Sequence, residues 1–185
     1  VFGLKTLITN LNGHCLFDAS RKTQTEGIII LHEGKYRKTD LDDFLKGGNI
    51  KIETEDPYEA CRKIEDIIKG TKKHGKVFVA YNGRGLGPFL NFVANKVGVD
   101  GVFTCYKNKI VRLPLLKLDL SDTRMRILKI LYLNDLTARE IGEKVKISRA
   151  MVYKHLKSLM DMGLVKKSDS LEKYAITNAG KLSIS

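Results

Sequence analysis

Three helix-starting residues between Ser121 and Ser148 constrain the fold of this chain more than any other feature. Ser121, with Asp122, precedes a stretch in which Met125, Ile127, Leu128, Ile130, Leu131 and Leu133 predict a broad apolar face closed by Asn134-Asp135. Thr137 precedes a second, with Glu140 three residues later in capping-box position and Ala138, Ile141 and Val145 directed inward. After a turn at Lys146-Ile147, Ser148 starts a third, where Val152, Leu156, Leu159 and Met160 repeat at helical spacing. The second and third helices then cross closely, and the small Ala138 permits that approach.

Met162-Gly163-Leu164-Val165 predicts a helix stop and a short strand, Lys166-Lys167-Ser168-Asp169-Ser170 a tight basic loop, and Lys173-Tyr174-Ala175-Ile176-Thr177 the returning strand. Asn178 is expected to cap a final short helix. This order is that of a winged helix-turn-helix. Away from its core the third helix carries Ser148, Arg149, Ala150, Tyr153, Lys154 and Lys157. Duplex DNA in the major groove calls for such an arrangement, with a flexible cation near base edges and further cations set back for phosphates. Arg149 and Tyr153 are assigned to base edges or the adjoining backbone, and Ser148, Lys154 and Lys157 to phosphate. Thr137 and the wing residues Lys166, Lys167 and Lys173 complete the predicted DNA contact. A solvated basic face, or a winged helix that docks protein, are the other readings of the same residues.

The first part of the chain alternates differently. Leu4–Thr9 reads as a strand, His14–Thr25 holds a helix turn or two, and Ile28-Ile29-Ile30-Leu31 is a β-branched run suited to a strand buried on both faces. A short helix over Asp40–Leu45 ends at Gly47-Gly48, before a short strand, Ile50–Glu53. Asp56-Pro57 starts a helix with Ala60, Ile64, Ile67 and Ile68 on one stripe and Gly70 as its stop. Lys76–Tyr81 is a further apolar strand, Pro88–Val97 a helix with Phe89, Phe92, Val93 and Val97 on one side, and Gly101–Tyr106 with Lys109–Leu113 a hairpin whose last strand is the edge. Strands alternating with helices imply a Rossmann-like, mainly parallel sheet. The fold class is therefore α/β, a domain over 1–117 followed by the winged helix-turn-helix over 118–185. Pro114-Leu115-Leu116-Lys117-Leu118 is apolar enough to read as a packed connection.

Two loops follow strand ends, where open parallel sheets bind ligands. They are Thr9-Asn10-Leu11-Asn12-Gly13-His14 and Asn82-Gly83-Arg84-Gly85-Leu86-Gly87. Glycines let backbone N–H groups converge and Arg84 adds a forked cation, so the pair suits a phosphate or another anion. A tight turn solved with glycine is the other reading.

The stretch T-A-R-E-I-G-E-K-V-K-I-S-R-A-M-V-Y-K-H-L-K-S-L-M-D-M-G-L-V, Thr137 to Val165, resembles archaeal transcription regulators of winged-helix type. That resemblance implies a dimer reading two half-sites. The whole layout resembles the CRISPR-associated Rossmann-like sensor domain, called CARF, fused to a winged helix, through a first strand ending in Thr9-Asn10 and a later one ending in Asn82-Gly83-Arg84-Gly85. The resemblance implies a regulator in antiviral defence whose two loops meet those of a second subunit at the dimer axis and bind a cyclic oligoadenylate. Carried residue by residue, Thr9, Asn10 and Gly13 match the first ligand loop, and Asn82, Gly83, Arg84 and Gly85 the second. Some relatives of such sensors cleave the ring, which here would draw on Arg84 for charge stabilisation and His14 as base. A first domain that only dimerises, or binds an unrelated metabolite, is the alternative.

The net charge of +12 is shared by both parts and favours a polyanionic partner. Cys15, Cys61 and Cys105 are widely spaced among apolar residues and read as buried thiols of a reducing compartment. No C-x-x-C pair occurs and His14, His32, His74 and His155 are scattered, so no metal or cofactor is expected. No apolar run reaches bilayer length, and a cytoplasmic location is expected.

Overall fold

The computed structural model describes residues 3–34, 48–116, 120–169 and 172–184. The chain divides into two compact units, Val1–Lys117 and Leu118–Ser185. The helix expected over Asp40–Leu45 lies outside the described residues, as do Lys117 and Leu118 of the connection and Ser170 of the wing loop.

In the first unit β1 (Leu4–Thr9), α1 (Gly13–Thr23), β2 (Gly27–His32), β3 (Gly48–Lys51), α2 (Pro57–Lys72), β4 (Gly75–Tyr81), α3 (Gly87–Val97), β5 (Gly101–Tyr106) and β6 (Lys109–Leu113) follow in order. They form one sheet in the order β3-β2-β1-β4-β5-β6. The first five strands are parallel and β6 returns antiparallel along the edge. Its turn uses Lys107 and Asn108, both with positive φ, the geometry of a two-residue hairpin. This is the Rossmann-like sheet expected.

Successive residues of β1, Leu7 and Ile8, are both fully buried although they point to opposite faces, because helices cover the sheet on each side. Leu16 and Ala19 of α1 pack with Leu7, Ile28, Ile30, Ala80 and Phe103. On the other helix layer α2 packs against α3. There Glu65 is buried and bonded by Lys69 at 2.5 Å and Lys96 at 2.7 Å. Burial pushes its carboxyl up, but the two ammonium groups outweigh that and leave it below the usual range.

Several local expectations change. Helix α1 is three turns rather than one or two. Helix α2 passes through Gly70 to Lys72, because Gly70 does not take the positive φ that would end it, and Lys72 donates to the Val97 and Gly98 carbonyls at the end of the neighbouring helix. The buried side of α3 is Leu90, Val93 and Ala94, with Phe89, Phe92 and Val97 only partly covered. Leu115 and Leu116 are exposed rather than packed. Cys15 and Cys105 are not buried thiols: they are half-buried and joined as a disulfide with Cα atoms 6.2 Å apart. The fold brings the start of α1 beside the end of β5, a proximity that a separation of 90 residues conceals. Cys61 is a buried free thiol, its pKa pushed up to about 11 mainly by burial.

The second unit contains α4 (Asp122–Leu133), β7 (Leu136–Thr137), α5 (Ala138–Val145), α6 (Arg149–Asp161), β8 (Val165–Lys167), β9 (Lys173–Ile176) and α7 (Asn178–Ile184). Its small antiparallel sheet has the order β7-β9-β8. Ile127, Leu128, Leu131, Ile141, Val145, Val152, Leu156 and Leu159 form the core. Leu133 and Met160, expected in it, are exposed, although their neighbours Leu131 and Leu159 are buried. Thr177 rather than Asn178 caps α7, its hydroxyl accepting from the Gly180 amide. No helix among the described residues is long and apolar enough to cross a membrane.

Candidate nucleic-acid interface and ligand cavity

Local sequence sets the start of each helix that builds the winged unit. Thr137 and Glu140 form a reciprocal capping box: the Thr137 amide donates to the Glu140 carboxylate at 2.7 Å and the Glu140 amide to the Thr137 hydroxyl at 3.3 Å. The Thr137 amide, and then the Thr137 hydroxyl donating to the same carboxylate at 2.8 Å, hold the Glu140 carboxyl below the usual range. Lys146, with φ of 60°, ends α5, and Arg126 donates to the Val145 carbonyl at 3.0 Å. Ser148 then caps α6, accepting from the Met151 amide at 3.3 Å.

A groove of about 790 Å³ lies between the start of α6, the start of α5 and the wing. It is lined on the helix side by Thr137, Arg149 and Tyr153 and on the wing side by Lys167 and Lys173. Arg149 Nη2 donates to the Tyr153 hydroxyl at 3.2 Å and its guanidinium stands 5.6 Å from the ring centroid. The hydrogen bond raises the Arg149 pKa further above its ordinary value. The contact with the ring restricts a side chain that has no other hydrogen-bond partner among the described residues, and leaves its remaining N–H groups to donate outward. The wing is tied back by Ser168, whose hydroxyl donates to Asp135 at 2.5 Å.

Of the predicted DNA residues, Ser148, Ala150, Lys154, Lys157 and Lys166 are exposed but do not line the groove. Sequence reading missed Arg139, Asp169 and Glu172, which do. Arg139 precedes the groove on α5 and pairs with Glu143 at 3.0 Å. Its signal was its place two residues after the Thr137 cap, on the helix turn that faces the wing.

In the first unit the strand order reverses between β1 and β4, and a cavity of about 280 Å³ opens at their carboxyl ends, as open α/β sheets lead one to expect. Asn10, Asn12, Asn82, Arg84, Gly85 and Leu86 of the predicted loops line it. Thr9, Gly13, His14, Gly83 and Gly87 do not. Thr9 is fully buried and accepts from the Leu11 amide at 3.0 Å, so its hydroxyl shapes the turn. His14 points its Nδ1 to Asp18 at 3.1 Å with 73% of its side chain exposed. It is therefore held away from the cavity in which a base would be needed.

Asn10 joins the two loops. Its amide donates to Asn82 Oδ1 and to the Arg84 carbonyl, both at 3.1 Å, and accepts from the Asn82 amide N–H at 3.1 Å. Its hydrogen-bonding capacity goes to stapling the two loops together. Gly87 is where the second loop meets helix α3, and a Cβ there would stand 1.6 Å from the Asn82 carbonyl oxygen. Leu11 of the first loop also lines the cavity, as do Ile30, Leu31, His32 and Glu33, which lie outside both predicted loops. His32 and Glu33 come from the end of β2, a strand that reads only as an apolar run. His32 Nδ1 donates to the Gly34 carbonyl at 2.8 Å.

Residues 115–179 match the family described as sugar-specific transcriptional regulator TrmB. No curated protein matches the chain. Among solved structures the chain is similar to Lactococcus lactis ZitR, described as a zinc-responsive MarR family member, with 31% identity and a TM-score of 0.34 over 37% of this chain and 51% of that one. A mutant of ZitR in complex with DNA is 30% identical, with a TM-score of 0.32 over 36% of this chain and 50% of that one. T. acidophilum IdeR is 18% identical, with a TM-score of 0.28 over 34% of this chain and 30% of that one. The chain thus spans about half the length of the ZitR chains it matches. The winged helix-turn-helix is similar in sequence to a transcription-regulator family, and it follows a Rossmann-like domain.

Proposed function

We propose that this chain is a transcription regulator that binds duplex DNA as a homodimer, through the groove between α6 and the wing. The observation that carries the reading is Arg149, held by Tyr153 and facing Lys167 and Lys173 across one groove. A guanidinium held in this way meets guanine edges or phosphate with little ordering left to do, while the lysines neutralise backbone charge. Selection from a pool of random duplexes, followed by titration of the enriched sequence, tests it. Arg149→Ala is expected to weaken the selected sequence more than bulk DNA. Equal small losses on both, with two-fold symmetry absent from the selected sites, would remove the assignment.

The first unit is read as a dimerisation domain that binds a small anionic metabolite and so biases the DNA-binding unit. A cavity of about 280 Å³ lies just under the usual range of ligand sites, ~300–1,000 Å³. It has room for one sugar- or nucleotide-sized group in each chain. The second reading is a cyclic oligoadenylate, favoured by the position of the two stapled loops at the sheet switch point. A ring of several nucleotides needs the cavities of two copies to adjoin. Titrating DNA with and without cyclic tetra-adenylate separates the readings: unchanged affinity and absent ring binding leave the small-metabolite reading. Cleavage of the ring draws no support from His14, which is paired away from the cavity.

A further inference from the structure

Two side chains of opposite charge line the same cavity of the first unit without meeting. Glu33 comes from the end of β2 and Arg84 from the loop between β4 and α3. Neither side chain has an ion-pair or hydrogen-bond partner among the described residues. Glu33 is closely fitted to the second loop: a Cβ at Gly85 would stand 2.6 Å from its Oε2, and Gly85 itself has a φ of +51°. The cavity is also lined by the buried apolar Leu11, Ile30, Leu31 and Leu86 and by the polar Asn10, Asn12, His32 and Asn82.

We propose that this cavity binds a phosphorylated sugar, free or as the ribose phosphate of a nucleotide, with vicinal hydroxyls donating to Glu33 and the phosphate held by Arg84. The inference rests on the reading of the first unit as a metabolite-binding domain and adds the class of ligand. An ionised carboxylate only accepts hydrogen bonds, and its two oxygens match a pair of adjacent hydroxyls. A bare phosphate satisfies Arg84 but is repelled by Glu33. A phosphorylated sugar satisfies both and lays its carbon frame on the apolar side chains. An acidic residue at the end of the second strand, about 20 residues beyond the first β–α turn, is also where doubly wound sheets hold ribose hydroxyls. Glu33 occupies that place relative to Gly13.

Calorimetric titration of the full chain tests the proposal with ribose 5-phosphate, AMP, 2-deoxyribose 5-phosphate, 2',3'-dideoxy-AMP, inorganic phosphate and a mixture of the amino acids as probes. At least one diol ligand is expected to bind about tenfold or more tightly than its deoxy counterpart, the effect of one or two hydrogen bonds to a charged acceptor. Glu33→Gln should narrow that gap without weakening the deoxy ligand, and Arg84→Ala should weaken both. Binding of ribose 5-phosphate identifies the free sugar as sufficient; binding of AMP alone identifies the nucleotide. Failure of both diol ligands to bind, equal affinity for diol and deoxy forms, equal loss of both in Glu33→Gln, or preference for an amino acid would each overturn it. DNA affinity measured with the bound diol ligand is a separate result: no change there removes the regulatory coupling and leaves the ligand class standing.

Discussion

Arg149 and Tyr153 lie one helical turn apart, so the ring that packs the guanidinium also fixes where its free N–H groups aim. Tyr153→Phe keeps the ring and loses the hydrogen bond; it is expected to weaken binding of the selected DNA less than Arg149→Ala, compared by fluorescence anisotropy. Thr137 acts on stability instead. Thr137→Ala removes one half of the capping box and should cost about 1 kcal/mol in urea unfolding of the winged unit. His155 carries a pH dependence. Its Nδ1 is buried without a hydrogen-bond partner among the described residues, and burial, then Arg124 and Lys154, hold its pKa below the ordinary 6.5. The unfolded chain therefore takes up the proton more readily than the folded one. Stability is fully present above about pH 6.5 and is lost progressively as the pH falls below that value towards the lower pKa of the folded state. Urea midpoints at about pH 5 and about pH 8 should differ in the parent and converge in His155→Gln.

At the scale of elements, what was legible followed from local rules. Caps at Ser121, Thr137 and Ser148, and the turn at Lys107-Asn108, are decided within a few residues of themselves, and the structure has them where the pattern puts them. The sheet class was legible because β-branched runs alternating with helices admit few topologies. What escaped was set by distant partners. Glu33 reaches the cavity only through the parallel pairing of β2 with β1, and Cys15 meets Cys105 only because α1 packs beside β5 and β6. The inward face of α3 was misjudged because Phe89 and Phe92 outrank Leu90 and Ala94 in size, while the close approach to α2 and the sheet takes the smaller ones. The junction at Gly87 gives a prediction at this scale. Gly87→Ala forces a methyl group into the Asn82 carbonyl and should break the Asn10 staple. The expected result is a loss of about 1–3 kcal/mol in urea unfolding, against less than about 0.5 for Gly83→Ala, which has open space.

For the whole molecule, a net charge of +12 draws the chain to any polyanion, and the wing lysines decide how much of that attraction is localised. Lys167→Ala and Lys173→Ala should each reduce the slope of log affinity against log salt by about 0.9 if each meets one phosphate. The proposed regulator requires the groove between α6 and the wing to be the surface that meets DNA. Anisotropy titration of the full chain with the selected duplex, across a series of salt concentrations, tests this most directly. Saturable binding that weakens linearly on logarithmic axes is expected, with Arg149→Ala abolishing the preference for the selected sequence over random DNA. Retention of that preference in Arg149→Ala, or a salt slope unchanged in both lysine variants, would contradict it.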